Sequence, residues 1–141
     1  MGGGRRAPYG FGKDKERVFY YDFNGKPNWV RKATPDSFVS LNDGHFGKDA
    51  NFVFRGVASI PKAKPAQWQK VGGLYSKDNI RVFYGNREVP EADPNSFEFV
   101  LPTDPTISFL QLARDKTNFY WNGKVIPKEK FEKKLRGDFS S

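Results

Sequence analysis

The chain has 141 residues, with 24 Lys and Arg against 16 Asp and Glu, one His and no Cys. The lack of cysteine excludes disulfides, a thiol nucleophile and cysteine zinc sites, and a lone histidine excludes the usual two- or three-histidine metal centres. No stretch approaches the ~18 apolar residues of a membrane-spanning helix, whereas 14 Phe, 6 Tyr and 3 Trp can furnish a sizeable core without disulfides.

Residues 1–10 read as a flexible leader. Its Gly2–Gly4 run precedes no strand and no Gly-Lys-Ser/Thr follows, so it is not a phosphate loop. The leader lacks the apolar centre of a secretion signal. A Gly-rich start of this kind suits a processed lipoprotein, just after its acylated cysteine.

From residue 11 the chain repeats itself. A basic residue and an aspartate precede a short run of Val, Phe, Tyr or Trp that ends at or near Gly: KDKERVFYYDFNGK from Lys13, KDANFVFRG from Lys48, KDNIRVFYGNREV from Lys77 and RDKTNFYWNGKVI from Arg114. β-Branched and ring side chains suit a pleated, half-buried surface, so each run predicts a strand. Asn24-Gly25 and Asn122-Gly123 tolerate positive φ at both centres of a tight turn, with Gly85-Asn86 and Arg55-Gly56 as weaker versions, and the chain is expected to reverse at each.

A second half follows three of the runs: Ala-Thr-Pro-Asp-Ser-Phe from Ala33, Ala-Lys-Pro-Ala-Gln-Trp from Ala63 and Ala-Asp-Pro-Asn-Ser-Phe from Ala92, spaced by 30 and 29 residues. In each, Pro sits where a missing N–H costs nothing, Thr34 or Asp93 can cap, and the ring three residues later turns inward. These halves predict single helical turns whose Phe38, Trp68 and Phe97 plug the core. From aspartate to alanine the distance is 14 residues in the second and third copies but 19 in the first, which places an insertion around Asp22 to Asn28. Residues 101–111 form another insertion; Asp104-Pro105 is a helix-start dipeptide, although a strand is also compatible.

The expected fold is therefore mainly β: repeated antiparallel β-hairpins with short helical turns and a small C-terminal helix. It forms a single repeat domain over residues 11–136, with copies at about 11–42, 46–71, 75–100 and 112–127, and a flexible tail at 137–141. A hairpin alone is marginal, so copies must stack and the ends must be capped. Pro127 to Arg136 supplies the helix, with Phe131 and Leu135 on one face and Lys130, Lys133 and Lys134 solvated. Lys48 and Lys77 are candidate guards of exposed strand edges.

This pattern resembles the DKNYY-repeat proteins of bacteria. Residues 11 to 127 carry the resemblance, and the third copy, from Tyr75 through Ala92-Asp93-Pro94, carries it best. The second copy departs at Ala50 and Phe54, and no Ala-x-Pro element follows Val125. The resemblance implies a secreted or envelope protein and no particular activity.

Asp14, Asp49, Asp78 and Asp115 recur, as a calcium or acid–base site would require. Every copy of a repeat also needs the same turn, a turn aspartate accepts N–H bonds two residues onward, and the close oxygens of a calcium loop are missing, so the structural role is preferred. His45, in Asn-Asp-Gly-His-Phe, reads as a turn residue. No catalytic residue, metal ligand or cofactor is assigned.

The net charge of +8 is unevenly placed. Residues 1–32 hold eight basic and three acidic residues, residues 33–123 hold ten of each, and residues 124–136 hold six and two. A protein-binding module is the expected function, most specifically an immunity-type inhibitor of a secreted bacterial toxin or effector in the periplasm or cell envelope. A cytoplasmic location is equally compatible with the lack of cysteine. Specificity belongs where copies differ: Asp22, Phe23, Trp29, Arg87, Glu91 and Phe109, with Trp29 as anchor or core residue. The alternative is a nucleic-acid or anionic-polymer binder using Arg5, Arg6, Arg31, Lys32, Lys130, Lys133 and Lys134. A glycan binder stacking sugars on Trp29, Trp68 and Trp121 ranks last.

Overall fold

A computed structural model describes residues 10–139. The leader, except Gly10, and with it Arg5 and Arg6, lies outside the described residues, as do Ser140 and Ser141 of the tail. The chain divides into two compact units with the boundary between Ala66 and Gln67.

The first unit holds two antiparallel sheets. Sheet 1 contains β1 (Gly10–Lys13), β2 (Val18–Tyr21) and β3 (Pro27–Trp29), and sheet 2 contains β4 (Val39–Ser40), β5 (Phe46–Lys48), β6 (Val53–Arg55) and β7 (Ala58–Ser59), each ordered as in the chain. A 3-10 turn, Pro35–Ser37, joins them. The second unit holds sheet 3, with β8 (Gln69–Gly72), β9 (Tyr75–Lys77), β10 (Val82–Tyr84) and β11 (Arg87–Glu88), and sheet 4, with β12 (Glu98–Val100), β13 (Leu112–Arg114), β14 (Phe119–Trp121) and β15 (Lys124–Ile126). Helix α1 (Lys128–Leu135) closes the sequence of elements.

The fold is mainly β, as the repeats predict. Each recurring Asp lies between two paired strands: Asp14 follows β1, Asp49 β5, Asp78 β9 and Asp115 β13. The next turn holds positive φ at Gly25, Gly56 and Gly85 and at both Asn122 and Gly123. In the second copy the turn centres on Gly56-Val57, one residue later than Arg55-Gly56, because Arg55 pairs with Ala58 across it. The first-copy insertion lies at the β2–β3 hairpin. Val30 bonds back to Val18 across 12 residues, whereas Ile60 bonds to Val53 and Val89 to Val82 across seven.

Phe38, Trp68 and Phe97 are buried at the ends of the proline turns. In the first unit Phe38 packs with Val18, Val30 and Phe54; in the second Phe97 packs with Tyr75, Val82, Ala113 and Tyr120. Thr34 makes no side-chain cap. Its N–H instead donates to Asp49 Oδ2 at 2.8 Å, while Asp93 does cap, accepting from Ser96 N and Oγ.

Lys48 and Lys77 do not guard edges, because β5 and β9 are interior strands of their sheets. Their ammonium groups donate to the carbonyls of Pro65 (3.0 Å) and Pro94 (2.8 Å), and Lys13 donates likewise to Pro35 (2.7 Å). The lysine before each of these aspartates thus satisfies a carbonyl of the next proline turn.

Residues 101–111 settle as a 3-10 turn, Pro105–Ile107, with Asp104 accepting from Thr106 N. Ile107 and Leu110 of this insertion join Leu112 and Phe131 in a buried cluster, with Leu135 packed against it. The insertion and α1 together cover the end of sheet 4.

Candidate partner-binding surfaces

The β2–β3 hairpin of the first unit carries Asp22, Phe23 and Trp29. Asp22 shapes the turn: its Oδ1 accepts from Asn24 N and Lys26 N at 3.0 Å each, and the Lys26 bond leads in holding its carboxyl below the ordinary range. Phe23, at the tip, is 86% exposed. Trp29 is not a core residue. It is 41% exposed, and two guanidinium groups lie over its ring, Arg31 at 4.1 Å and Arg17 at 4.8 Å from the centroid. Cation–π attraction to both guanidinium groups helps to hold this indole at the surface. Lys32 sits over the ring of Phe52 at 5.6 Å.

Behind the hairpin a concave space of about 390 Å³ brings Asp22 together with Tyr20, Asn28, His45 and Arg55. His45 is the turn residue its sequence context predicts, with Asp43 Oδ1 accepting its N–H at 2.8 Å, while the exposed side chain lines this hollow.

In the second unit Arg87 is exposed, donates from Nη2 to the Asn122 carbonyl at 3.3 Å and lies 5.9 Å from the Tyr84 ring. Glu91 is exposed after β11, and Phe109 projects from the insertion with 70% of its surface free. Lys130, Lys133 and Lys134 of α1 meet around Trp121, Asp138 and Phe139, forming a groove of about 290 Å³; Lys134 Nζ stands 3.8 Å from the Trp121 centroid. Three of the seven basic candidates are thereby gathered, while Arg31 and Lys32 lie in the other unit.

The repeated aspartates bond to backbone. Oδ1 of Asp14, Asp49, Asp78 and Asp115 accepts two N–H groups each, from the residues two and three positions on, at 2.7 to 2.9 Å. Oδ2 of Asp49 and Asp115 reaches back to the preceding proline turn, taking Thr34 N and Asp93 N at 2.8 Å. Each bond is answered by another, from Ala50 N to Ser37 Oγ and from Lys116 N to Ser96 Oγ, both 3.0 Å. Burial pushes the Asp115 carboxyl upward, but the N–H groups of Asp93 and Asn118 and the Tyr120 hydroxyl outweigh it and leave the group more acidic than usual. Burial, with Asp115 adding to it, raises the Tyr120 hydroxyl. Among the described residues no group of three or more His, Asp or Glu side chains is placed to hold a metal ion.

One recurring position escaped the motif reading. Two residues before each aspartate stands a small residue: Gly12, Gly47, Ser76 and Ala113. At Gly47 an added Cβ would collide with the Phe38 ring, so the gap is where the plug ring sits. Alignment of the four copies on their aspartates carries this signal.

The fold and these bonds define a class: a repeat protein of short antiparallel meanders whose shared polar side chains lock one copy to the next. The chain belongs to the DKNYY family, whose profile matches residues 11–133. No curated protein and no solved structure matches it.

Proposed function

We propose that this chain is a non-catalytic protein-binding module, and that it serves as an immunity-type inhibitor that captures and neutralises a secreted bacterial toxin or effector in the cell envelope. One observation supports the binding role: the polar side chains shared between copies are bonded inside the molecule, whereas Phe23 and Phe109, on the two insertions, face solvent. An exposed ring on a copy-specific loop contributes nothing to stacking and suits a protein interface. Trp29, already in contact with two arginines, would lose little freedom on binding. The toxin and the envelope location extend this reading to the usual work of small, non-catalytic envelope proteins.

Co-expression with the product of a neighbouring toxin gene tests it. A one-to-one complex and rescue of growth are expected, and Trp29→Ala should weaken the complex about 30-fold or more. No neighbouring toxin gene and no complex would remove the immunity role.

The basic groove at Lys130, Lys133, Lys134 and Trp121 favours a second reading, an anionic-polymer binder. Affinity for single-stranded DNA or RNA should then fall steeply with salt. Flat isotherms at low ionic strength would eliminate it.

A further inference from the structure

Sheets 2, 3 and 4 share a plan in which a first strand, entered through a proline turn and a buried ring, pairs with the strand that precedes the aspartate. β4 pairs with β5, β8 with β9 and β12 with β13, in a common register: Val39, Gln69 and Glu98 lie opposite Lys48, Lys77 and Arg114. The ring residues Phe38, Trp68 and Phe97 come one position earlier, across from the aspartates. Sheet 1 begins one strand later. Its β1 corresponds to β5, β9 and β13, and among the described residues nothing pairs with its outer side.

Three groups along that side are fitted for the partner that the other sheets possess. Asp14 N bonds to Arg17 O, so by antiparallel alternation the N–H and C=O groups of Lys13 and Phe11 point outward, as those of Lys48 and Phe46 point to β4. Asp14 uses Oδ1 in its own turn, and among the described residues its Oδ2 accepts nothing, where Asp49 and Asp115 take Thr34 N and Asp93 N. Lys15 N occupies the place of Ala50 N and Lys116 N, which donate to Ser37 and Ser96. Beyond the edge a concave space of about 340 Å³ is lined by Gly10 and Phe11 on one side and by Ser40, Asn42, Asp43 and Gly44 on the other. In the second unit β8 lies against β12, and in the first β4 lies against β1, so an incoming strand would enter along β1 beside β4.

We propose that the outer edge of β1 is a strand-docking site for a partner protein, whose segment enters as a Pro-x-Ser-Phe turn and then extends antiparallel along Lys13 and Phe11. The N–H before its proline bonds to Asp14 Oδ2, its serine accepts from Lys15 N, and its ring packs beside the Tyr21 ring, which lies over Gly12. Main-chain pairing supplies affinity, and the ring and turn supply selectivity. The inference deepens the protein-binding role and rests on it.

The test uses the full chain, labelled with 15N, and a nonapeptide with the sequence of Ala92–Val100 as probe. Binding is expected to slow amide exchange at Phe11 and Lys13 by about ten-fold or more. A peptide carrying Phe97→Ala, or a protein carrying Asp14→Asn, should bind about ten-fold more weakly, the effect of losing one ring or one charge-assisted bond. Three results would each overturn the proposal. They are no binding at millimolar peptide, Phe11 and Lys13 amides already protected in the free monomer because the chain covers its own edge, or protection that grows with protein concentration as two copies pair. None of these touches Phe23, Trp29 or Phe109, whose own test is the toxin complex.

Discussion

Asp115 in sheet 4 accepts four hydrogen bonds, from Thr117, Asn118, Asp93 and the Tyr120 hydroxyl, whereas Asp14 in sheet 1 accepts two, from Glu16 and Arg17. The same residue in the same motif is thus a turn former in one place and a joint between sheets in the other. What differs is the neighbour: a proline turn precedes Asp115, and none lies against Asp14 among the described residues. The two sheets also end differently. Sheet 4 is covered by α1 and the 101–111 insertion, while the outer side of β1 pairs with no strand among the described residues.

The largest expected effect breaks the closed end. Phe131 is buried, packs on the Phe119 ring with centroids 4.8 Å apart, and joins Ile107, Leu110 and Leu112. Phe131→Ala should cost about 3–5 kcal/mol by removing the ring and leaving a cavity. Urea unfolding followed by tryptophan fluorescence would measure it. A loss below about 1 kcal/mol would mean that α1 does not stabilise sheet 4.

Next comes the aspartate contrast. Asp115→Ala deprives the Asp93 N–H and the Tyr120 hydroxyl of their acceptor as well as opening the turn, and should cost about 2–3 kcal/mol. Asp14→Ala opens only a solvated turn and should cost clearly less by the same measurement. Equal losses would show that the joint between sheets adds nothing to the turn.

The pH dependence sharpens that contrast. Asp115 is more acidic in the fold than the ordinary carboxyl value of 3.8, so its contribution is complete above that value. As pH falls below 3.8 the unfolded chain takes up a proton first, and the contribution fades as the folded carboxyl is protonated in turn. The stability gap between wild type and Asp115→Ala should therefore narrow in acid and stay constant from pH 5 to 7. A gap that widens in acid would reverse the sign of the assignment.

Much of this was legible because a repeat states its turn chemistry several times over. The Asp turns, the Asn-Gly and Gly turns, the buried plug rings and the lengthened β2–β3 hairpin follow from local pattern alone. The lysine bonds to Pro35, Pro65 and Pro94 were not legible, because they span 17 to 22 residues and resemble any solvated charge in sequence. Residues 101–111 resisted for a related reason. Their Ile107 and Leu110 answer to Phe131, a contact that no local periodicity announces. For the candidate site, Phe23 and Phe109 were visible as extras to the repeat, but the arginines that hold Trp29 were not, since Arg17 is sequentially remote and joins it through the pairing of β2 with β3.

The smallest effect concerns the small position before each aspartate, and it has the opposite sign. Gly12, Gly47 and Ala113 bring no polar atom there, whereas Ser76 brings a hydroxyl that is fully buried and has no hydrogen-bond partner among the described residues. A buried donor left unmade carries its desolvation cost without return, so size is what the plug ring requires of this position and polarity works against it. Ser76→Ala reproduces the residue of sheet 4 in sheet 3, keeps the volume under the ring and should raise stability by about 0.5–1 kcal/mol. Ser76→Val would put a methyl in place of the hydroxyl and a second methyl beside it beneath a packed ring, and should lower it by about 1–3 kcal/mol. If alanine instead destabilised the protein, the hydroxyl would have a partner that matters in solution, and the four copies would no longer be equivalent at this position.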